Sequence, residues 1–303
     1  MPDYTLLDAA LLRAGIPFEK DENMCAHTSF KIGGPADRFL RLADEAALSA
    51  ALRALRETDT PYFVLGNGSN LLVPDEGLRG AVLSLEGAFK SVELSGNARL
   101  RCGSAASLAS VCAFARGNAL TGLEFAWGIP GSLGGALYMN AGAYDGEMKQ
   151  VTSRVWFLEA DGTPASLSGD ALGFGYRTSA FMGTKRVITK AELQLEHGVE
   201  AEITARMDDL MQRRKSKQPV ELPSAGSVFK RPQGYFAGTL IEQCGLKGYA
   251  VGGACVSEKH AGFIVNRGGA TCADVERLIE FIQETVLRKT GVQLEPEIRR
   301  VRL

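Results

Sequence analysis

The stretch GIPGSLGGALYMNAGAY, residues 128–144, most constrains what this chain can fold into. It places five glycines inside an otherwise apolar run. Glycine weakens both helices and strands, and it is most useful where the backbone takes positive φ or approaches another group closely. The pattern predicts a loop of bare main chain that receives a flat or phosphate-bearing ligand, with Ser132 and Asn140 as polar contacts. A glycine-rich turn between buried strands is the alternative.

Length and charge narrow the class of protein. With 303 residues the chain exceeds the usual size of a single hydrophobic core, so we expect two or three domains. A net charge of −1 provides no broad attraction to nucleic acid or to an anionic membrane surface. The polar N-terminus does not resemble a secretory signal, and no apolar run is long enough to span a bilayer. These observations predict a cytoplasmic protein without nucleic-acid or membrane partners, and we expect a monomer.

Cysteine and histidine spacing argues against a metal centre. The six cysteines contain no CxxC pair, and the three histidines form no HExxH motif. We therefore expect reduced, mostly buried cysteines and no bound metal.

Periodicity predicts a mixture of short strands and a few helices. Helical spacing marks residues 44–57 behind the cap candidate Asp44, a segment from Ser107 to Gly117, a charged segment that stops before Pro219, and a final helix at 273–291. Strand-like runs occur at 62–65, 81–85, 91–94, 99–102 and 186–195, with a hairpin around Asp161 and Gly162. The fold class is α+β, because regular strand–helix alternation is missing. We predict an N-terminal helical segment at 1–32, a domain at 33–197 divided near 66, and a C-terminal domain at 198–303.

A second glycine-rich loop, GNGSNLL at 66–72, follows the apolar strand YFVL. Its successive backbone N–H groups are suited to line an anion-binding concavity. The loop is not the GxGxxG of dinucleotide-binding folds, and no GxxxxGK[ST] loop is present. A structural hairpin remains the alternative, since Asn-Gly pairs are common in hairpins.

The two loops belong to an ordered series of motifs. TSFKIGGPAD (28–37), VLGNGSNLLV (64–73) and GIPGSLGGALYMNAGAYDGE (128–147) closely resemble the FAD-binding domain of the vanillyl-alcohol oxidase (PCMH) type. Within that type, the chain resembles the UDP-N-acetylenolpyruvoylglucosamine reductase family. The match continues through GFGYRTS, PSAGSVFK, LIEQCGLKG and LEPEIR, so it covers nearly the whole chain in order.

The resemblance implies a fold, a cofactor and a reaction. It implies an FAD-binding domain of two α+β subdomains, followed by a smaller α+β substrate-binding domain. It also implies noncovalent FAD, NADPH as reductant, and reduction of an enolpyruvyl ether on a UDP-sugar to UDP-N-acetylmuramate, a peptidoglycan precursor. The flavin-contacting residues that it implies are Gly66, Asn67, Gly68, Ser69, Asn70, Gly131, Ser132, Gly134, Gly135, Asn140, Ala141 and Gly142.

Three side chains match the family's catalytic positions. Arg177 in GYRTS would hold the substrate carboxylate with a permanently charged planar fork. Ser227 in SAGSVFK would donate a proton to C2, with Lys230 or water as relay candidates. Glu297 in LEPEIR would act protonated beside the developing charge. Strand periodicity puts Glu295 on the same face as Glu297, so the motif alone selects Glu297.

Substrate contacts are implied at four further positions. Lys217, in the basic cluster RRKSKQP, is expected to contact the diphosphate, and Lys230 and His260 to face the substrate. Two positions depart from the family pattern, which usually has asparagine where this chain has Arg231 and Gly262. Arg231 either strengthens phosphate binding or points outward. The C-terminal part has no room for the extra substrate-covering loop of the longer family type, which predicts the shorter type.

Two other functions are compatible with parts of the sequence. Another FAD enzyme of the same fold, such as an alcohol or sugar-lactone oxidase, would explain the glycine loops but not PSAGSVFK and LEPEIR. A non-catalytic nucleotide-sugar binding protein would explain the loops and the basic cluster but gives no reason for Arg177, Ser227 and Glu297.

Overall fold

A computed structural model describes residues 3–303 of the chain. Over this range the α-helices are α1 Thr5–Arg13, α2 Glu45–Glu57, α3 Leu108–Gly117, α4 Leu133–Tyr138, α5 Glu200–Lys217, α6 Ala237–Gln243 and α7 Cys272–Thr290. Short 3₁₀ helices lie at Met24–His27, Gly87–Lys90, Glu124–Ala126, Met148–Gln150 and Gly169–Leu172.

The strands are short and numerous. The first ten are β1 Phe18–Asn23, β2 Pro35–Leu42, β3 Tyr62–Leu65, β4 Leu71–Leu72, β5 Leu78–Leu85, β6 Val92–Gly96, β7 Arg99–Gly103, β8 Leu120–Thr121, β9 Gly142–Ala143 and β10 Gly146–Glu147. The others are β11 Thr152–Leu158, β12 Pro164–Ser168, β13 Val187–Gln194, β14 Glu196–His197, β15 Ser224–Ser227, β16 Ala250–Val251, β17 Ala254–Val256, β18 Phe263–Asn266 and β19 Arg299–Arg300.

Most of the predicted elements are confirmed, because their sequence signals are local. Asp44 caps α2 by accepting a hydrogen bond from the Ala47 N–H at 2.8 Å, and Ser107 caps α3. The hairpin around Asp161 and Gly162 joins β11 to β12 in antiparallel pairing. One expectation needs correction: α1 ends at Arg13 and residues 18–23 form β1, so the segment 1–32 is not helical throughout.

The described chain divides into two compact units, each assembled from three stretches of sequence. Unit 1 comprises everything up to Lys20, Arg38–Asn67 and Gly80–Arg213. Unit 2 comprises Asp21–Asp37, Gly68–Arg79 and Arg214–Leu303. Residues 198–213, which we expected in the C-terminal domain, belong to unit 1, and two short stretches from the N-terminal quarter belong to unit 2.

Unit 1 contains a five-stranded antiparallel sheet in the order β12-β11-β13-β7-β6. Its larger core cluster packs α3 and α4 with this sheet, and includes the fully buried Leu133, Leu137 and Leu193. A second cluster packs α1 and α2 with β5, whose residues 81–84 pair in parallel with β3. The larger cluster includes Leu133, Ala136, Leu137 and Ala141, so it anchors the glycine-rich stretch.

Unit 2 contains a four-stranded antiparallel sheet, β15-β18-β17-β16, with α6 and α7 contributing to its core. The apolar face predicted for the last helix is confirmed: Val275, Leu278, Ile279, Ile282 and Val286 are completely buried. A parallel pair of short strands, β4 and β19, joins the stretch after Gly68 to the C-terminus. Asp75 reinforces this connection, since its carboxylate accepts the N–H groups of Cys272 and Ala273, at 2.7 and 3.1 Å, in the first turn of α7.

Five of the six free cysteines are buried. Across residues 3–303, no helix is both long and apolar enough to cross a bilayer.

Candidate functional site

The glycine-rich stretch predicted to bind a ligand lies in unit 1 as a loop leading into α4. The Ser132 hydroxyl caps this short helix by accepting the Gly135 N–H at 3.4 Å. Gly134 packs closely on Ser104, because a Cβ on Gly134 would lie 3.0 Å from the Ser104 Cβ. Gly135 is exposed. The glycines therefore serve close backbone packing and leave main chain uncovered at the surface.

The first two residues of the other glycine loop, Gly66 and Asn67, lie in the same region of unit 1. A Cβ on Gly66 would lie 2.5 Å from the Ser132 Oγ, so glycine is required there for space. The Asn67 side-chain amide donates to the Pro130 carbonyl at 3.4 Å, and both Gly66 and Asn67 are exposed. The two predicted loops are thus neighbours, and their bare, exposed main chain fits an elongated nucleotide cofactor such as FAD.

The remainder of that loop belongs to unit 2. Gly68 has a φ of +62°, and a Cβ there would collide with the His27 carbonyl oxygen. Ser69 is half-buried. The Asn70 side-chain amide donates to the Glu297 carbonyl at 3.3 Å, and the Asn70 carbonyl accepts the Arg299 N–H at 3.0 Å. This part of the loop is therefore fastened to the C-terminal segment that carries Glu297.

Arg177 lies in unit 1 at a tight two-residue turn. Gly175 and Thr178 exchange backbone hydrogen bonds of 3.1 and 3.3 Å, with Tyr176 and Arg177 between them. Arg177 has a φ of +55°, a conformation that few non-glycine residues adopt. Its guanidinium donates to the Gly142 carbonyl at 3.3 Å and lies 5.2 Å from the centroid of the exposed Tyr176 ring. The turn therefore places a half-buried cation beside the second half of the glycine-rich stretch.

Asn140, expected to contact the ligand, is completely buried. Its side-chain amide donates to the Gly175 carbonyl at 2.9 Å and to the Glu147 carboxylate at 3.1 Å. Its side-chain oxygen accepts the Lys149 N–H at 2.9 Å. Since the whole residue is buried and its side chain bonds within the protein, the structure does not bear out a polar contact from Asn140 to a ligand.

Ser227 and Glu297 lie on adjoining segments of unit 2. Ser227 ends β15, opposite Phe263 of β18, and its hydroxyl donates to the Phe229 carbonyl at 3.3 Å. The Glu297 N–H donates to the Val228 carbonyl at 2.7 Å, one residue from Ser227. Both side chains are half-buried. Unit 2 thus brings together the backbone segments that carry two of the three predicted catalytic residues.

The structure corrects the sequence prediction of a strand across residues 295–297. The described backbone is irregular there; Pro296 forms an isolated bridge with Phe229, and β19 begins at Arg299. Proline has no N–H to continue a ladder, which explains the break. Glu295 is exposed and pairs with the Lys230 ammonium at 3.2 Å. Lys230, a relay candidate, is thus engaged in an ion pair, and the selection of Glu297 over Glu295 stays a prediction.

The His260 ring packs against two glycines of unit 2. A Cβ on Gly238 or Gly262 would lie 3.1 or 3.0 Å from the His260 Cε1 atom. The His260 Nδ1 accepts the Gly262 N–H at 3.1 Å, which leaves the ring proton on Nε2, and burial lowers the pKa of the imidazole. The Cβ position of Gly262 also lies 3.5 Å from the Ser227 Oγ. Glycine at position 262 thus leaves space beside Ser227 and His260.

The remaining predicted substrate contacts are exposed cations of unit 2. Lys217 is exposed at the end of α5. The Arg231 guanidinium lies 4.0 Å from the centroid of the exposed Phe236 ring. Both remain predictions for diphosphate binding.

Glu147, which supports the site, and Asp75, which caps α7, were both missed from the sequence. Glu147, the partner of Asn140, closes a capping box with Gln150, and the spacing of these two residues was the available signal. Asp75 caps a helix about 200 residues further along the chain, and no local pattern predicts that contact.

Two models of known protein families match the sequence of this chain. Residues 36–168 match the family model for an FAD-binding domain, and residues 218–301 match that for the C-terminal domain of UDP-N-acetylenolpyruvoylglucosamine reductase. A Physcomitrella patens BBE-like 1 variant shares the fold at 18% identity, with a TM-score of 0.50, over 64% of this chain and 45% of that one. The fold, the paired glycine loops and the family model define a protein with an α+β FAD-binding domain. The predicted fold class and cofactor are confirmed.

Closer relatives identify the family. The UDP-N-acetylenolpyruvoylglucosamine reductase of Caldanaerobacter subterraneus subsp. tengcongensis is 48% identical over 92% of both chains. The enzyme of that name from Clostridium perfringens strain SM101 is 47% identical over 92% of this chain and 91% of the relative. The crystal structure of the Thermus caldophilus enzyme matches at 36% identity with a TM-score of 0.81, over 94% and 98% of the two chains. This chain belongs to the UDP-N-acetylenolpyruvoylglucosamine reductase family, as the sequence motifs indicated.

Proposed function

We propose that this protein uses NADPH to reduce the enolpyruvyl ether of UDP-N-acetylenolpyruvoylglucosamine to UDP-N-acetylmuramate. The names of the relatives and the match over most of the chain support this reaction. The product is a peptidoglycan precursor, so the context is cell-wall biogenesis in the cytoplasm, and with it cell shape and division. We propose a monomer of the family's shorter type.

The flavin would be held by the main chain of the two glycine loops. The residues that would contact it are Gly66, Asn67, Gly68, Ser69, Asn70, Gly131, Ser132, Gly134, Gly135, Ala141 and Gly142, and the buried Asn140 would hold the main chain beside them. When bound, FAD takes electrons from NADPH and supplies them as a hydride. The close approach of Gly66 to Ser132 supports this assignment, because a side chain on Gly66 would occupy the space beside the Ser132 hydroxyl.

Arg177 would stabilise the negative charge that the reaction adds to an existing carboxylate. A hydride added to the terminal carbon of the enolpyruvyl group pushes charge toward the carboxylate, which is prohibitive without fixed cations in a site with little water. The constrained turn of Arg177 supports this role, since a guanidinium held in one position reorganises little during the reaction.

Ser227 would donate the proton that C2 requires, and Glu297, acting protonated, would hydrogen-bond to the developing charge. In the structure the Ser227 hydroxyl donates to the Phe229 carbonyl, so it must rotate toward the substrate to act. Lys217, Lys230, Arg231 and His260 would contact the nucleotide sugar. The neutral His260 would offer an Nε2–H donor, which is compatible with a polar group of the substrate.

The single observation that carries this proposal is the pairing of the Ser227 and Glu297 segments in unit 2, through the 2.7 Å hydrogen bond from Glu297 N–H to the Val228 carbonyl. A flavin oxidase of the same fold or a passive nucleotide-sugar binder would not require these two segments to adjoin.

The direct test mixes the FAD-loaded protein with NADPH and UDP-N-acetylenolpyruvoylglucosamine. We expect NADPH loss that depends on the nucleotide sugar, and a product heavier by one hydride and one proton in mass spectrometry. NADPH loss without the nucleotide sugar provides the background rate. A folded, FAD-loaded protein that leaves the nucleotide sugar unchanged would contradict the proposal.

A further inference from the structure

We infer that Asn140 is a positioning residue for Arg177: its side-chain amide fixes the turn that presents the guanidinium. This inference rests on the function proposed above for Arg177. It assigns the Asn140 side chain to the protein's own turn, whereas the sequence had suggested a ligand contact.

The turn that carries Arg177 has a strained backbone. Arg177 occupies the left-handed region, and such a conformation persists in a non-glycine residue only when its surroundings fix it. The backbone exchange between Gly175 and Thr178 closes the turn but does not attach it to the rest of unit 1. Two side-chain hydrogen bonds attach it: one is donated to the Gly175 carbonyl from outside the turn, and the other is donated outward by Ser179, which follows the turn.

Asn140 provides the first attachment, through its 2.9 Å hydrogen bond to the Gly175 carbonyl. Ser179 provides the second: it is buried, and its hydroxyl donates to the Tyr138 carbonyl at 2.7 Å. Both attachments lead to the end of α4, because Tyr138 is the last helical residue and Asn140 follows two positions later. The turn is therefore fastened to the segment that leaves the glycine-rich loop.

The Asn140 side chain is itself held by neighbouring groups. Its second amide contact, to the Glu147 carboxylate, and the Lys149 N–H on its oxygen fix the orientation of the amide plane. Glu147 is fixed in turn by its capping box with Gln150. A fully buried amide with three partners has one favourable orientation, and in this orientation it donates to Gly175.

The segment that contains Asn140 also contacts Arg177 directly. The Arg177 guanidinium donates to the Gly142 carbonyl, two residues after Asn140. The residue that fixes the turn and the carbonyl that receives the guanidinium therefore lie on one short segment, 140–142. Removing the Asn140 amide would leave the turn attached through Ser179 on one side only, so the position of the guanidinium would be less restricted.

The test compares Asn140→Ser with wild type, each alone and combined with Arg177→Ala. We expect Asn140→Ser to lower kcat/KM for the nucleotide sugar by about tenfold or more, with flavin reduction by NADPH changed by less than about twofold. In the Arg177→Ala background the same substitution should have little further effect, because residues that act as a unit are not additive. Asn118→Ala is the matched control, since it removes an amide-to-carbonyl hydrogen bond, to Phe114, elsewhere in unit 1.

A second readout does not depend on turnover. The rate at which phenylglyoxal modifies Arg177, followed by peptide mass spectrometry, should change several-fold in Asn140→Ser and remain at the wild-type value in Asn118→Ala. Asn140→Ala, which removes both donors without burying a charge beside Glu147, carries the same expectation and replaces Asn140→Ser if that variant does not fold.

The outcomes separate the two proposals. Wild-type protein that does not reduce the nucleotide sugar, together with an altered modification rate at Arg177, would refute the proposed function and support the positioning role. Equal losses of kcat/KM in both Arg177 backgrounds, with an unchanged modification rate, would overturn the positioning role.

Discussion

Positive φ values gather around the candidate site at the scale of single residues. Asn140, Tyr144, Asp145 and Arg177 all take this conformation, although none of them is glycine. Tyr144 and Asp145 form the two-residue connection between β9 and β10, a position where both central residues need positive φ. Backbone strain of this kind tends to concentrate where geometry serves function. The strain at Arg177 is therefore consistent with a side chain that must be placed accurately.

Ser227 allows the two half-reactions to be separated. We expect Ser227→Ala to leave flavin reduction by NADPH within about twofold of wild type and to slow reduction of the enolpyruvyl substrate by about 10² to 10⁴, because only the second step needs the acid. Stopped-flow absorbance of the flavin measures both steps.

Ser166→Ala serves as a control, since Ser166 is an exposed residue of β12 in unit 1. Comparable damage to both half-reactions in Ser227→Ala would argue against the proton-donor role.

At the scale of elements, α7 illustrates how a helix start can be read from sequence and then reinforced by tertiary contacts. Thr271 and Asp274 form a capping box, and Gly291 ends the helix in the left-handed conformation. Both signals are local. The additional cap from Asp75 requires a distant segment of the chain, so it emerges only on folding.

The Asp274 carboxylate predicts a pH dependence of stability. Its pKa is lowered chiefly by the hydrogen bond from the Thr271 N–H, with further contributions from the Thr271 side chain and the Arg277 guanidinium, against an opposing effect of burial. A lowered folded pKa stabilises the fold above the unfolded value of about 3.9, and this contribution is lost as the pH falls through the folded pKa.

Asp274→Asn should therefore lower the free energy of unfolding by about 1 kcal/mol at pH 7, with a smaller difference from wild type below about pH 3. Urea titrations at both pH values measure this, and Asp208→Asn, on the exposed side of α5, is the control. A difference between Asp274→Asn and wild type that stays constant with pH would contradict the assignment.

At the scale of the whole molecule, the buried thiols bear on how the flavin is held. Burial raises the pKa of Cys102 and of Cys112 to about 12, so both stay protonated and are poor nucleophiles at neutral pH. These are the cysteines nearest in sequence to the flavin loops, and the loop segments after residue 33 contain no histidine. We expect noncovalent FAD: acid precipitation of the protein should release the flavin into the supernatant, and a yellow pellet after washing would contradict this expectation.

The sequence by itself determined most of the elements and the family. Caps, glycine loops and apolar faces act through neighbours within a few residues, so Asp44, Ser107 and the buried face of α7 were predictable. Colinear motifs fixed the FAD-binding class, because bare backbone beside a cofactor requires glycine at defined positions. The candidate residues Ser227, Glu297 and Arg177 were also selected by their motifs.

The tertiary structure decided how those parts are combined. It assembled each unit from three separated stretches, fastened Asn70 to the Glu297 segment, and committed the Asn140 amide to the Arg177 turn. None of these contacts has a signal in local periodicity, because each depends on which distant segments meet when the apolar faces are buried. Hydrogen bonds between such segments then fix which side chains remain available for a ligand.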